Sequence, residues 1–260
     1  MRSFLSYMGG KSLLTRKIIP MIPEHTCYCE VFVGAAWLLF QKEESKVEII
    51  NDINTDLVTL YRVVKHHLEE FVRYLKWILV SRDEFDRFKA EKPETLTDIQ
   101  RAVRFYYLLR CGYGAQILNP TISIPAFQPP RMNLLRIEED LSAAHLRLSR
   151  VYIENVDYRR LIERVDKPFT FFYLDPPYYG YENYYGKDIF SQEDFRILAG
   201  LLSTIKGKFI LPINDLPEVR DIYREFNIHE VNTTYTVAGA HRKKAAKELL
   251  ITNYDLPAAT

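Results

Sequence analysis

Apolar residues fall into two kinds of run along this chain, and the switch between them predicts its architecture. Cys27–Gly34 (CYCEVFVG) is a continuous β-branched and aromatic stretch closed by glycine, which reads as a buried strand. Ala35–Gln41 follows as a helix, and Lys46–Asn51 (KVEIIN) reads as a second strand ending at Asp52. Strand, glycine turn, helix, strand and acid within about 25 residues form the signature of a nucleotide-binding βαβ unit. Upstream, Ser12–Ile19 has a short helical pattern stopped by Pro20 and Pro23.

From Asp56 to about Arg150 the period changes. Leu57, Leu60, Tyr61, Val64 and Leu68 have helical spacing, as do Phe71, Leu75, Ile78 and Leu79. After a polar break at Glu91–Asp98, a helix is expected from Ile99 to about Arg110. Gly112–Arg131 carries two glycines with Pro120, Pro125, Pro129 and Pro130, which predicts a loop or hairpin. The strand-like pattern resumes at Val151–Ile153 and Phe169–Leu174. Ser191–Asp194 resembles a capping box before a helix at Phe195–Leu202. Lys208–Ile213, Ile228–Val237 and Glu248–Asn253 are further strand candidates, with a helix at Glu218–Phe226. The expected fold class is α/β, a Rossmann-like unit made of residues 1–56 and 151–260 with a mostly helical insertion at 57–150.

Length agrees with that division: at about 150 residues per domain, 260 residues correspond to roughly 1.7 domains. With 47% hydrophobic and 27% charged residues, the composition is that of an ordinary globular protein, not a disordered or fibrous one. No apolar run approaches the roughly 18 residues of a membrane span, and MRSFLSYMGGK lacks the apolar stretch of a signal peptide. An intracellular protein without a membrane partner is therefore expected. Cys27, Cys29 and Cys111 are too few for a disulfide framework, the six histidines are scattered, and no metal site is expected.

Charge matters through its distribution. The formal net charge is +1, yet residues 57–150 sum to +4 and the remainder to −3. Arg101 to Arg136 holds five arginines and no acid, interleaved with Phe105, Tyr106, Tyr107, Tyr113 and Phe127. Such a stretch serves either as the solvated basic face of a helix or as a phosphate-contacting surface.

The most specific feature is Leu174-Asp175-Pro176-Pro177-Tyr178, at the end of an apolar run where a parallel sheet places its site. Consecutive prolines terminate a strand and make a rigid turn. They also lack N–H donors, so the turn offers only carbonyl acceptors. A carboxylate, a fixed carbonyl and an aromatic face together suit a planar base with an exocyclic amine.

Six motifs in order resemble those of the DNA adenine-N6 methyltransferases that include the GATC-methylating enzymes. Tyr7-Met-Gly-Gly-Lys11 is similar to that family's N-terminal cofactor motif, and Glu30-Val-Phe-Val-Gly34 to its first-strand glycine motif. Asn51-Asp52-Ile-Asn54 and Ile153-Glu-Asn-Val-Asp157 resemble its second-strand and third-strand acids. Arg104-Phe-Tyr-Tyr to Gly112-Tyr113 looks like its DNA-recognition insert, and Asp175–Tyr178 like its catalytic tetrapeptide.

The resemblance implies S-adenosyl-L-methionine as cofactor and double-stranded DNA as partner, in the cytoplasm of a prokaryote or of a phage's host. Tyr7, Lys11, Phe32, Gly34, Asp52, Asp157 and Asp175 are the implied cofactor residues. Asp52 suits a ribose diol or a helix N-cap; Asp157 suits an adenine amine or a surface acid beside Arg159 and Arg160. Asp175, Pro176, Pro177 and Tyr178 are the implied catalytic residues. The carboxylate and the Pro176 carbonyl would accept the amine's hydrogens while Tyr178 stacks on a flipped base. The implied recognition insert, 57–150, offers Arg101, Arg104, Arg110, Tyr113, Gln116, Asn119, Arg131 and Asn133 as DNA contacts. A cognate restriction endonuclease is a candidate partner.

One departure stands out: where the family continues Gly-Ala-Gly or Gly-Ala-Ser, this chain has Gly34-Ala35-Ala36-Trp37, which predicts altered packing or weaker cofactor affinity. The tyrosine-rich segment 178–186 reads as a closing loop or a packed turn, and His241-Arg-Lys-Lys244 as a phosphate contact or a solvated turn. Related turns also methylate amines on cytosine, RNA or protein, and a non-catalytic recognition subunit is a further alternative. A nicotinamide oxidoreductase is disfavoured, because Phe32–Trp37 does not supply G-x-G-x-x-G.

Overall fold

A computed structural model of the chain describes residues 1–5, 12–115, 117–122, 124, 127, 129, 132–182, 186, 189–236 and 243–256. Its elements run α1 (Ser12–Ile18), β1 (Cys27–Glu30), α2 (Trp37–Gln41), β2 (Val47–Asn51), α3 (Thr55–His66), α4 (Leu68–Lys76), α5 (Arg82–Ala90), α6 (Asp98–Cys111) and α7 (Leu134–Leu148). They continue with β3 (Val151–Glu154), α8 (Tyr158–Val165), β4 (Thr170–Tyr173), α9 (Gln192–Leu202), β5 (Lys208–Asn214), α10 (Pro217–Ile222), β6 (Asn227–Thr236) and β7 (Lys243–Thr252).

Among the described residues the strands form one seven-stranded sheet in the order β3-β2-β1-β4-β5-β7-β6. The first five are mutually parallel, and β7 runs antiparallel between β5 and β6. This is a doubly wound, Rossmann-like α/β sheet, as the alternating pattern predicts. Its central strands are apolar on both faces because both faces are covered. Tyr28, Ile50, Phe171, Tyr173 and Ile210 point into one core with helices of the segment 55–148. Cys29, Val31, Phe172, Leu174, Phe209 and Leu211 point into the other, against residues of α8, α9 and α10.

Several boundaries differ from the sequence reading. Strand β1 ends at Glu30; beyond it the Val31 N–H donates to the Tyr173 carbonyl at 3.0 Å on the β4 side and the Val33 N–H to the Asn51 carbonyl at 2.8 Å on the β2 side. Helix α2 begins only at Trp37, because Ala36 sits in the left-handed region at φ +52°. Helix α4 ends at Lys76, leaving Leu79 exposed. Helix α5, opened by Ser81 accepting from the Glu84 N–H, hid behind a charged sequence in which only Phe85 and Phe88 are buried. Both capping boxes, Thr97 with Gln100 and Ser191 with Asp194, are formed.

Candidate active site

Strand order reverses between β1 and β4, and in an open α/β sheet the crevice outside the carboxyl ends at such a point takes the ligand. The segments after β1, β2, β3, β4 and β5 all leave the sheet at that edge. Glu30–Gly34, Asp52, Asp157, Asp175–Tyr178 and Asn214 are therefore gathered there by topology alone.

The turn after β1 is held by its neighbours. Gly34 has φ +45°, and its N–H donates to Asp52 Oδ2 at 3.1 Å, while Asp52 Oδ1 accepts from the Asn54 N–H at 2.9 Å. The Tyr61 hydroxyl donates to the Gly34 carbonyl at 2.7 Å. Burial pushes the Asp52 carboxyl up, and the N–H groups of Asn54, Gly34 and Ile53 only partly oppose it. Asn51, fully enclosed, donates to the carbonyls of Val31 (3.0 Å) and Val156 (3.1 Å) and accepts from the Val156 N–H (3.0 Å). One side chain thus ties together the exits of β1, β2 and β3. Phe32 is half-buried between Tyr158 and Phe190, with ring centroids at 5.6 and 5.7 Å.

After β4, the Leu174 N–H donates to the Ile210 carbonyl at 3.0 Å, and the chain turns through Asp175. Pro176 and Pro177 are buried; Asp175 and Tyr178 are half-buried. The Tyr178 hydroxyl donates to Glu248 Oε1 on β7. The amide of Asn214 makes two bonds to the Tyr179 backbone, accepting from its N–H and donating to its carbonyl, both at 3.0 Å. Burial, then the charge of Glu248, holds the Tyr178 phenol far above its ordinary range. Behind the turn lies Glu30, only 2% exposed and accepting from the Tyr28 hydroxyl at 2.9 Å. Burial, reinforced by the charge of Asp175, pushes its carboxyl up to about 8.

These groups fit a nucleoside cofactor beside a planar amine. Each Asp52 oxygen keeps a lone pair after its backbone bond, a glycine turn allows close backbone approach, and Phe32 presents a half-buried ring. The sequence profile of the D12 class of N6 adenine-specific DNA methyltransferases matches residues 7–237. The chain belongs to this family. It is 27% identical to the type II methyltransferase M1.LlaDCHI of Lactococcus lactis subsp. cremoris, across 98% of this chain and 96% of that protein. It is also 27% identical to the DNA adenine methylase of Escherichia coli K12, covering 96% and 95%. The type II methyltransferase M.MjaIII of Methanocaldococcus jannaschii is 27% identical, covering 97% and 99%.

As a DNA adenine methyltransferase, the chain takes its methyl group from a donor and places it on DNA. The structure brings Phe32, Gly34, Asp52, Asp157 and Asp175–Tyr178 to one sheet edge. Asp157 is the N-cap of α8, accepting from the Arg159 N–H at 2.9 Å. Asp52 is not a cap; Asn54 caps α3. Ala36 holds its left-handed φ of +52° at a cost of about 1–2 kcal/mol. The Trp37 indole packs against the helical core. Tyr7, Lys11, Gln116 and Arg131 lie outside the described residues, as do residues 183–185, His241 and Arg242.

The residues expected to contact DNA between 57 and 150 occupy different local environments. Arg101 pairs with Asp56 of α3, and Arg104 donates to the Phe88 carbonyl at 2.7 Å. Arg110 is half-buried in the last turn of α6. Asn133 caps α7 by accepting from the Arg136 N–H at 3.3 Å. Tyr113 and Asn119 are exposed just beyond α6, where a Gly112–Ile122 bridge and the Tyr113 N–H to the Thr121 carbonyl (2.7 Å) shape the loop. No described helix is long and apolar enough to cross a membrane, and no described group of three or more His, Cys, Asp or Glu is placed to hold a metal.

Sequence reasoning quoted Glu30 and Asn51 only as members of motifs, without a role of their own, and passed over Asn214 and Glu248. Each is a polar residue inside or at the end of an apolar run, as in Ile213-Asn214, which closes one, and Glu248-Leu249-Leu250-Ile251, which opens one. An enclosed polar group must be hydrogen-bonded, and that requirement is the signal they carried.

Proposed function

We propose that this DNA adenine methyltransferase acts on an adenine flipped out of duplex DNA and uses S-adenosyl-L-methionine as its donor. The observation that carries the reading is the Asp175-Pro-Pro-Tyr178 turn at the switch point of the sheet. An adenine amine is a poor nucleophile, because its lone pair is delocalised into the ring. The Asp175 carboxylate and the Pro176 carbonyl accept its two N–H hydrogens, drawing the nitrogen toward tetrahedral geometry. Tyr178 stacks on the extruded base, worth about 1–3 kcal/mol against a flipping cost of a few kcal/mol.

Asp52 accepts from the ribose hydroxyls of the cofactor, and Tyr7, Lys11, Phe32, Gly34 and Asp157 complete that site. When bound, the cofactor supplies an already activated methyl, so the protein's share is alignment. The half-buried turn and buried prolines limit water at the reacting nitrogen. Tyr113 and Asn119, with Gln116 and Arg131 of the same segment, touch the DNA from the insert spanning 57–150. The type II names of two relatives support a partnership with a restriction endonuclease. Asp175→Ala tests the core of the reading: methyl transfer to duplex DNA should vanish while calorimetric binding of S-adenosylmethionine persists. Turnover at the wild-type rate in that variant would overturn the catalytic assignment.

A further inference from the structure

Two side chains from different strands grip the tyrosine end of the catalytic turn, and neither belongs to the motifs that point to the reaction. Asn214 closes β5 and Glu248 lies on β7; the two are direct cross-strand partners in the antiparallel ladder. From that one rung, Asn214 holds the Tyr179 backbone through two 3.0 Å bonds, while Glu248 accepts the Tyr178 hydroxyl. Glu248 is 1% exposed, so it is no solvent-screened surface acid.

The chemistry of the pair is specific. A tyrosine that stacks on a base needs its ring face open and its ring plane fixed. The phenol oxygen is the one polar atom far enough from the backbone to fix that plane. Bonding it to a carboxyl oxygen of the buried Glu248 fixes the ring from its far end, and a side chain enclosed on β7 cannot swing away from it. The Asn214 bonds fix the backbone at the next residue, so the side chain and its support are held from the same rung. Reacting groups must be held within a fraction of an ångström for alignment to contribute fully. A second anchor lies within the turn, where the Tyr181 N–H donates to the Tyr178 carbonyl at 2.8 Å and Gly180 N–H to Glu182 Oε1 at 2.8 Å.

We infer that Glu248, with Asn214 beside it, is a positioning residue that orients Tyr178 for stacking on the target base. This rests on the reading of the turn as the methylation site. Glu248 touches neither base nor cofactor; it acts through the Tyr178 hydroxyl. The assignment therefore predicts a split in kinetic constants and non-additivity between the two side chains.

The test uses the full chain, S-adenosylmethionine and duplex DNA carrying target sites, with Glu248→Leu, Glu248→Gln, Tyr178→Phe and the double variant Glu248→Leu/Tyr178→Phe. Glu248→Leu and Tyr178→Phe should each lower kcat by about tenfold or more, with calorimetric affinity for S-adenosylmethionine within twofold of wild type. Glu248→Gln, whose amide oxygen still accepts the phenol hydrogen, should recover most of that loss. The double variant should be no slower than the worse single one. Wild-type kcat in Tyr178→Phe, or losses that multiply in the double variant, would overturn the inference. If Glu248→Leu fails to fold, Tyr178→Phe and Glu248→Gln still decide, since a normal Tyr178→Phe rate leaves the anchor without a role. A wild-type chain that methylates no adenine would instead overturn the function on which the inference stands.

Discussion

Helix α7 is fastened to the sheet by a buried charge network whose removal has a calculable cost. Glu48 on β2 receives two bonds from Arg147, in the last turn of α7, one of them at 2.8 Å to Oε1. Lys42 donates to it at 2.5 Å and the Ser45 N–H at 3.1 Å. The Lys42 and Arg147 side chains are 4% and 10% exposed, so water screens neither. Glu48→Gln leaves two enclosed cations without their anion, which costs about 3–5 kcal/mol. For a chain of this size that corresponds to a fall in Tm of roughly 6–20 °C. Burial raises the Glu48 carboxyl, yet the bonds from Arg147 and Lys42 outweigh it and hold it below its usual 4.5. A depressed folded pKa means stability that is present above that value and lost as pH falls through the folded one. The deficit of the variant, read from urea unfolding, should be complete at pH 7 and shrink below about pH 4. A deficit under about 1 kcal/mol at pH 7 would refute the reasoning.

Glu30 carries the opposite sign. Its folded pKa of about 8 stands above the ordinary 4.5, so its contribution is full at low pH and drains away as pH rises. Glu30→Gln, which still accepts from Tyr28, should gain stability over wild type progressively from about pH 5 to pH 8, by up to about 5 kcal/mol; a pH-independent difference in unfolding midpoints would contradict this. Asp52→Asn turns an amide N–H toward one of two backbone donors, Gly34 or Asn54. Calorimetric affinity for S-adenosylmethionine should fall about tenfold or more, and undiminished affinity would remove Asp52 from the cofactor site.

The two halves of the chain were unequally legible. Strands β1, β2, β4 and β5 announced themselves because a sheet covered on both faces needs unbroken apolar runs, and such runs are visible in sequence. The turn Asp175–Tyr178 was legible for the same reason: it closes one of them. The partners of the charges between residues 57 and 150 were not legible. The stretch from Arg101 to Arg136 contains no acid in sequence, but Arg101 finds Asp56 on α3 and Arg104 finds the Phe88 carbonyl. A run of like charges reports nothing of partners supplied by another helix. The roles of Asn51, Asn214 and Glu248 were hidden because they depend on which strands lie side by side. That Glu248 faces Asn214 follows from the antiparallel return of β7, a register no local pattern encodes.

The most direct test of the account is to incubate the chain with duplex DNA and S-adenosylmethionine carrying a tritiated methyl group, digest the DNA to nucleosides and identify the labelled one. The account predicts label on the N6 of adenine, absent when Asp175→Ala replaces the wild-type chain. Label on cytosine, or label on adenine that survives Asp175→Ala, would contradict it.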